Sequence, residues 1–395
     1  MDGIYKLQLT NIAAGGAALA RVEGKTVFVE GGAPDEIACC RITEEHKTWA
    51  KAELLEIIEA SPVRIDSACA FYTQCGGCNL QHIEYNAQLA AKRAVLTECF
   101  SKIGGLRPVE PEIFPSPPWE YRNRMQFHCL RENEPLARSQ GAERLKFGLK
   151  ARFGDIIAVS DCPIADPGIR EILQRGGKEL RLPPEKDRFT VYSRDGLLLN
   201  EGGQERGKTR LLEKDVLLDA GVFFQSNGVM LEKLISVLLE IAGTADAGLP
   251  MADLYAGVGT FAVFLGAVFP KIDLVEENKK AVGIARENLR GSSVEFFALR
   301  DSDWVKEAKR RKQKHGFMVV DPPRAGLASR LASWLAEDGP PLLAYVSCDP
   351  ASLARDSKIL TEPKVRKSGY KLTNIKLFDF YPQTSHIESL AVFER

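Results

Sequence analysis

Short runs in which apolar and polar residues alternate fill the first part of the chain, and longer apolar runs alternate with helix-like spacing in the last part. From Tyr5 to about Ile58 the runs are broken by glycines, as in Thr26-Val27-Phe28-Val29-Glu30 followed by Gly31-Gly32, which predicts a small β-barrel. Ser61-Pro62 breaks the chain. Tyr85 to Ile103 then carries Leu89, Leu96, Phe100 and Ile103 at roughly helical spacing before Gly104-Gly105, predicting a helix. After the linker Pro115-Ser116-Pro117-Pro118 come strand-like runs at Met125 to Leu130 and Leu145 to Leu149, with a basic segment Arg122-Asn123-Arg124, in a region ending near Lys214. From Asp215 onward, strands are predicted at Met251 to Tyr255, Lys271 to Glu276, Val294 to Ala298, Phe317 to Asp321 and Leu342 to Ser347. Helices fall at Gly259 to Phe269 and Asn278 to Leu289. Such alternation means a parallel α/β sheet with right-handed crossovers. The expected division is 1–60, 61–214 and 215–395.

A chain of 395 residues, 45% of them hydrophobic, can bury two or three cores. No segment reaches the uninterrupted apolar length of a membrane span, and Met1 to Lys6 lacks a signal-peptide pattern, so a cytoplasmic monomer without a membrane partner is expected. Lysine and arginine total 53 against 53 aspartates and glutamates, so any nucleic-acid site must be a local patch. The barrel segment is more acidic than basic, leaving Lys6, Arg21, Lys47 and Lys51 to gather on one side if it binds nucleic acid. The basic run Lys306 to Lys314 reads as the solvated face of a helix.

Candidate chemistry concentrates in a few motifs. Asp253-Leu254-Tyr255-Ala256-Gly257-Val258-Gly259-Thr260 sets two glycines after a buried strand, where the backbone turns and a ligand approaches a helix N-terminus. Glu276 ends the next strand, where a carboxylate accepts hydrogen bonds from a ribose diol. Ala262 would also permit a dinucleotide fingerprint, but a hydride-transfer enzyme has no use for Asp321-Pro322-Pro323-Arg324 or for Cys348 in Ser347-Cys348-Asp349-Pro350. Cys348 and the carboxylate of His386-Ile387-Glu388 look like a nucleophile and a base. Cys69, Cys75 and Cys78, spaced C-x5-C-x2-C, and a distant Cys162 before Pro163 suit an iron–sulfur or a zinc site, and spacing does not choose between them. Cys39, Cys40, Cys99 and Cys129 read as structural.

Together these motifs resemble, over nearly the whole chain, the S-adenosylmethionine-dependent RNA uracil-5-methyltransferases. The resemblance implies an α/β fold: a Rossmann-like class I methyltransferase domain, an N-terminal OB-like TRAM β-barrel (Gly15-Gly16, Lys25 to Val29, Gly31 to Glu36, Ile37 to Ile42) and an α+β central domain. It implies that Gln225 of Phe223-Phe224-Gln225-Ser226-Asn227, Tyr255, Thr260, Glu276 and Asp321 bind S-adenosylmethionine. Thr260 stands where members often carry asparagine, and Gln225 read on its own also suits a cap of the helix beginning near Asn227. By the same resemblance Cys348 adds to carbon 6 of uracil, Glu388 removes the carbon 5 proton, and His386 orients. Arg324 binds a uracil carbonyl or a phosphate, or forms a salt bridge inside the pocket. Cys69, Cys75, Cys78 and Cys162 match the ligands of a 4Fe-4S cluster of structural or RNA-orienting role.

The barrel together with the cluster resembles the members that methylate 23S ribosomal RNA, while some archaeal-type transfer-RNA enzymes carry both, so transfer RNA is the alternative partner. A non-catalytic RNA-binding protein would have no reason to keep Cys348, Glu388 and Gln225 together. A cytosine-5-methyltransferase would need a group to protonate the ring nitrogen, and Arg324 after Asp-Pro-Pro argues for uracil.

Overall fold

A computed structural model describes residues 3–107, 110–130, 147–183, 185–362 and 369–395. The ends of two sequence expectations, Met1-Asp2 and Leu145-Lys146, lie outside the described residues.

The first sheet is the barrel-like N-terminal unit. Its strand order is Ile4–Gln8, Ile37–Glu45, Trp49–Glu59, Lys25–Glu30 and Ala18–Val22, antiparallel except where Lys25–Glu30 runs parallel to Trp49–Glu59. Alternation does what it predicts. Ala18, Ala20, Val27, Val29, Ala38, Cys40, Ala50 and Ala52 point inward with Leu7 and Leu9. Glu36 closes the turn before the long strands by accepting from the Ala33 N–H at 2.7 Å. Burial pushes the Cys40 thiol up to about 11, as suits an inert core cysteine.

The central unit is built on the antiparallel order Leu197–Asn200, Arg188–Arg194, Arg124–Cys129, Phe147–Lys150 and Ile156–Ile157, with the helix Pro167–Gln174 against it. A hairpin of Arg206–Leu211 and Lys214–Asp219 leads into the third unit.

The third sheet has eight strands. The parallel series Val294–Phe297, Ile272–Val275, Met251–Leu254, Phe317–Val320 and Leu342–Ser347 follows the sequence reading, with the cavity at its C-terminal edge. Beyond it the sheet reverses. Glu388–Glu394 runs antiparallel to Leu342–Ser347 and to Lys371–Phe378, and the short strand Glu112–Phe114 joins the far edge. Both faces are covered, so Met251, Leu274, Phe317 and Val346 fill one core while Ala252, Val275, Met318 and Tyr345 fill the other.

Two elements numbered among the central residues pack on this eight-stranded sheet. The helix Tyr85–Cys99 places Val95 and Leu96 in the second core, and its last turn widens into a π-turn, Phe100–Gly104. The strand Glu112–Phe114 supplies the sheet edge. The helix Asp301–Arg311 bears the basic run, where Arg310 pairs with Glu307 and Arg311 with Asp273 and Glu295, in keeping with a solvated face. Among the described residues no helix is long and apolar enough to cross a membrane.

Candidate active site

The Met251–Leu254 strand ends one residue before the expected point because Tyr255 turns to a positive φ of 61°, rare for a residue with a side chain. Gly259, at φ 79°, leads into the helix Thr260–Leu265. A Cβ there would sit 3.2 Å from Leu274 Cδ1 and Leu289 Cδ1, so only glycine allows the helix to pack this closely on the next strand. Glu276, one residue past its strand, accepts from the Gly257 N–H at 2.9 Å and the Asn278 N–H at 2.7 Å, which fixes the carboxylate beside the glycine turn. The Tyr255 hydroxyl donates to Asp301 Oδ2 at 2.6 Å.

These groups open onto a cavity of about 920 Å³. Gln225, Tyr255, Glu276, Asp321, Cys348 and Glu388 all line it, together with Arg324 and His386. Thr260 heads its helix and is not among the lining residues. The capping of the helix Gly228–Ala242 falls to Asn227, whose Oδ1 accepts from the Met230 N–H at 3.1 Å, so Gln225 is free of that duty. Gln225 Oε1 is buried without a partner among the described residues.

Cys348 sits where a strand becomes a helix. Ser347 Oγ accepts from the Asp349 N–H at 3.2 Å, Asp349 Oδ1 accepts from the Ser352 N–H at 2.7 Å, and Pro350 opens the helix Pro350–Thr361, so the local sequence itself holds the thiol at the turn. Glu388 comes from the reversed strand. Ser347 pairs with Ser389, which leaves Cys348 and Glu388 as the next residues outward on adjacent strands. Glu388 is 2% exposed and its Oε1 has no partner among the described residues.

Burial dominates the electrostatics here. It raises Glu388 well above the ordinary carboxylate range, with Asp321 adding to the effect, and pushes Asp321 itself up to about 7. Burial also pushes the Cys348 thiol up to about 11, reinforced by Glu388 and Asp321 and opposed by Arg324. His386 is held below its ordinary value by desolvation, then by Arg324, Arg122 and Lys92, and Arg324 Nη2 lies 3.3 Å from its Nδ1. The imidazole is therefore neutral near pH 7 and suited to orienting rather than to taking a proton. Glu276, Glu277, Asp301 and Asp321 share the cavity wall with Arg122, Arg300 and Arg324, so it offers charges of both signs to a ligand.

The cysteine cluster forms a second cavity of about 250 Å³, lined by Cys69, Cys75, Cys78 and Cys162. Burial pushes Cys78 up to about 11 and Cys162 up to about 12, and Arg122 counters it at both. Among the described residues no three His, Cys, Asp or Glu side chains are grouped as a single metal ion would need.

Two residues gain significance that the sequence did not give them. Arg122, read only as part of a basic segment, lines both cavities. Asp253, read only as part of the glycine motif, is fully buried; desolvation pushes it up to about 8, one oxygen accepts from the Ala262 N–H at 3.1 Å, and the other has no partner among the described residues. A charged residue inside an otherwise apolar strand was the available signal.

Residues 217–395 match the tRNA (Uracil-5-)-methyltransferase family, and residues 8–55 match the TRAM domain. An RNA methyltransferase of Treponema denticola is 33% identical over 94% of this chain and 94% of its own length. The chain belongs to the RNA uracil-5-methyltransferase family. It is an S-adenosylmethionine-dependent enzyme of that family, with a TRAM unit and a Rossmann-like catalytic domain. A 23S rRNA (uracil(1939)-C(5))-methyltransferase, RlmD, of Shewanella frigidimarina is 28% identical over 98% of this chain and 95% of that protein. Among solved structures, the Pyrococcus abyssi tRNA (uracil-54, C5)-methyltransferase in complex with S-adenosyl-L-homocysteine shares the fold, with a TM-score of 0.73, 23% identity and all of both chains covered.

Proposed function

We propose that this enzyme methylates carbon 5 of one uridine in 23S ribosomal RNA, with Cys348 as nucleophile and Glu388 as base. The observation that carries the reading is the strand register that sets Cys348 and Glu388 side by side at the cavity's edge. The ribosomal substrate rests on the RlmD relatives, which span almost the whole chain.

Carbon 5 of uracil is too weakly nucleophilic to take a methyl group unaided. Cys348, once deprotonated, forms an S–C6 bond while the C5–C6 π pair moves onto C5 and its conjugated carbonyl. S-adenosylmethionine supplies the electrophilic methyl on a sulfonium. Gln225, Tyr255, Glu276 and Asp321 would hold that cosubstrate, Glu276 at its ribose diol. After methylation Glu388 removes the C5 proton; the electrons of that C–H bond re-form the C5–C6 double bond, and the S–C6 bond breaks. Glu388 acts in its ionised form; the raised pKa makes that carboxylate the stronger base, and its Oε1, without a partner among the described residues, is free to take the proton. Because a helix would shield the target carbon, the uridine enters single-stranded or flipped.

Cys69, Cys75, Cys78 and Cys162 line one cavity, and on the strength of the family resemblance they would be the four thiolate ligands of a 4Fe-4S cluster there. The methyl transfer needs no electron, so the cluster's part is structural or RNA-orienting.

With 5-fluorouridine RNA, Cys348→Ala is expected to abolish both methyl transfer and the covalent complex while retaining S-adenosylmethionine binding. Glu388→Gln is expected to accumulate the covalent protein–RNA species on a denaturing gel with natural uridine. Turnover by Cys348→Ala, or wild-type behaviour of Glu388→Gln, sinks the roles; preference for a transfer-RNA stem-loop over a large-subunit fragment transfers the substrate to the alternative.

A further inference from the structure

The loop from Asp379 to Ser385 delivers His386 and Glu388 to the cavity, and its end next to His386 is tethered by a side chain of the cysteine segment. Asn79 directly follows Cys78. Its Nδ2 donates to Gly15 O of the barrel at 2.7 Å and to Ser385 Oγ at 3.0 Å, while its Oδ1 accepts from the Ser385 N–H at 2.8 Å. Its backbone N–H and that of Leu80 both donate to Gln383 O, at 3.1 and 3.0 Å. On the barrel side Gly16, at φ 94°, lies so close that a Cβ there would stand 2.4 Å from Asn79 Nδ2 and 3.2 Å from Ser385 Cβ. Barrel, cysteine segment and base loop therefore meet at one side chain, which uses three of its four hydrogen-bonding positions to do so.

We propose that Asn79 is a positioning residue for the reaction: it transmits the placement of the barrel and of the cysteine segment to the loop that aims Glu388. The inference rests on the reading of Glu388 as the base. Asn79 is not among the residues that line the cavity. Of the loop's other ties, Lys92 holds Asp379 and Tyr381 O, Tyr85 donates to Asp379, Asn227 donates to Phe380 O, Tyr121 donates to Pro382 O at 2.9 Å and Gln88 exchanges hydrogen bonds with Gln383, but all act earlier in the loop. Asn79 holds Ser385, the residue next to His386.

The geometry makes a prediction that differs from general destabilisation. Nucleophilic addition by Cys348 depends on a different strand, so loss of the tether should slow proton removal more than addition, and the covalent intermediate should build up. A displacement of about 1 Å costs up to on the order of 100-fold in rate, so a smaller shift at Glu388 is expected to slow resolution of the adduct about tenfold.

The test uses the full-length protein in three variants, Asn79→Ala, Gly16→Ala and Glu388→Gln, with a large-subunit RNA fragment. Steady-state adduct is read on denaturing gels, S-adenosylmethionine affinity by titration calorimetry, iron by elemental analysis and Tm by calorimetry. Asn79→Ala and, from the barrel side, Gly16→Ala are expected to raise the adduct fraction with iron content retained and cosubstrate affinity within about twofold of wild type. The proposal is overturned if both variants show wild-type adduct, or if methylation, cosubstrate affinity and Tm fall together without adduct. Should Glu388→Gln itself trap nothing, the base assignment fails first. Should it trap adduct while the other two do not, only the positioning role of Asn79 fails.

Discussion

Lys92→Met is expected to be among the most damaging single changes outside the cavity. Lys92 and Asp379 side chains are 2% and 0% exposed, and Nζ donates to Asp379 Oδ1 at 2.6 Å and to Tyr381 O at 2.9 Å. Burial lowers the pKa of Lys92 against the pull of Asp379, so the charge survives only as half of a pair. Removing the ammonium leaves the Asp379 carboxylate with the Tyr85 hydroxyl, 2.8 Å away, as its remaining side-chain partner among those described. An uncompensated buried charge of this kind costs about 3–5 kcal/mol. For a domain of this size that lowers Tm by roughly 6–20 °C. Because Asp379 begins the base loop, methylation at 37 °C should fall with the folded population. The double variant Lys92→Met/Asp379→Asn removes both charges and should recover most of the loss. Differential scanning calorimetry of wild type, the single and the double variant decides. A shift of under about 2 °C for Lys92→Met, or a double variant worse than the single, would refute the view of the pair as a buried, mutually dependent charge couple.

The thiol of Cys348, pushed up to about 11, should react with iodoacetamide in the cosubstrate-free enzyme on the order of 100-fold more slowly at pH 7.5 than an unperturbed thiol, and mass-spectrometric mapping of its peptide against pH checks this. Asp253, raised to about 8, binds a proton in the folded state that the unfolded chain releases near 4. Stability should therefore fall as pH rises from about 4 to 8, and Asp253→Asn should flatten that slope in Tm measurements between pH 5 and 9. Anaerobically purified protein should be brown with about four irons per chain, and Cys75→Ser should lose the colour; zinc in its place would refute the cluster. Tyr255→Phe, which deletes the 2.6 Å bond to Asp301, should weaken S-adenosylmethionine binding in calorimetry by up to roughly 10- to 150-fold, the range for one hydrogen bond to a charged group.

The local pieces are legible in neighbouring residues. Alternation in the first sixty residues foretells the strands of the first sheet, and the alternating strands and helices after Asp215 foretell the parallel series of the third, because periods of two and 3.6 residues are read within a single element. The turn that presents Cys348 is equally local, since Ser347, Asp349 and Pro350 build it from their own hydrogen bonds and ring. What only the tertiary structure decided are the meetings between distant segments. The final strand inserts antiparallel beside Leu342–Ser347, which makes Glu388 the neighbour of Cys348, and no periodicity in either strand states which edge the other will join. The helix Tyr85–Cys99 lies on the catalytic sheet because Val95 and Leu96 fill a core made by residues more than 150 positions away. Arg122 became a wall of two cavities, and Asn79 the junction of three segments, through hydrogen bonds and packing that form only after the units have docked. Local chemistry is written in adjacent residues; register and docking are set by long-range burial, where the favourable contacts belong to pairs that the linear sequence keeps apart.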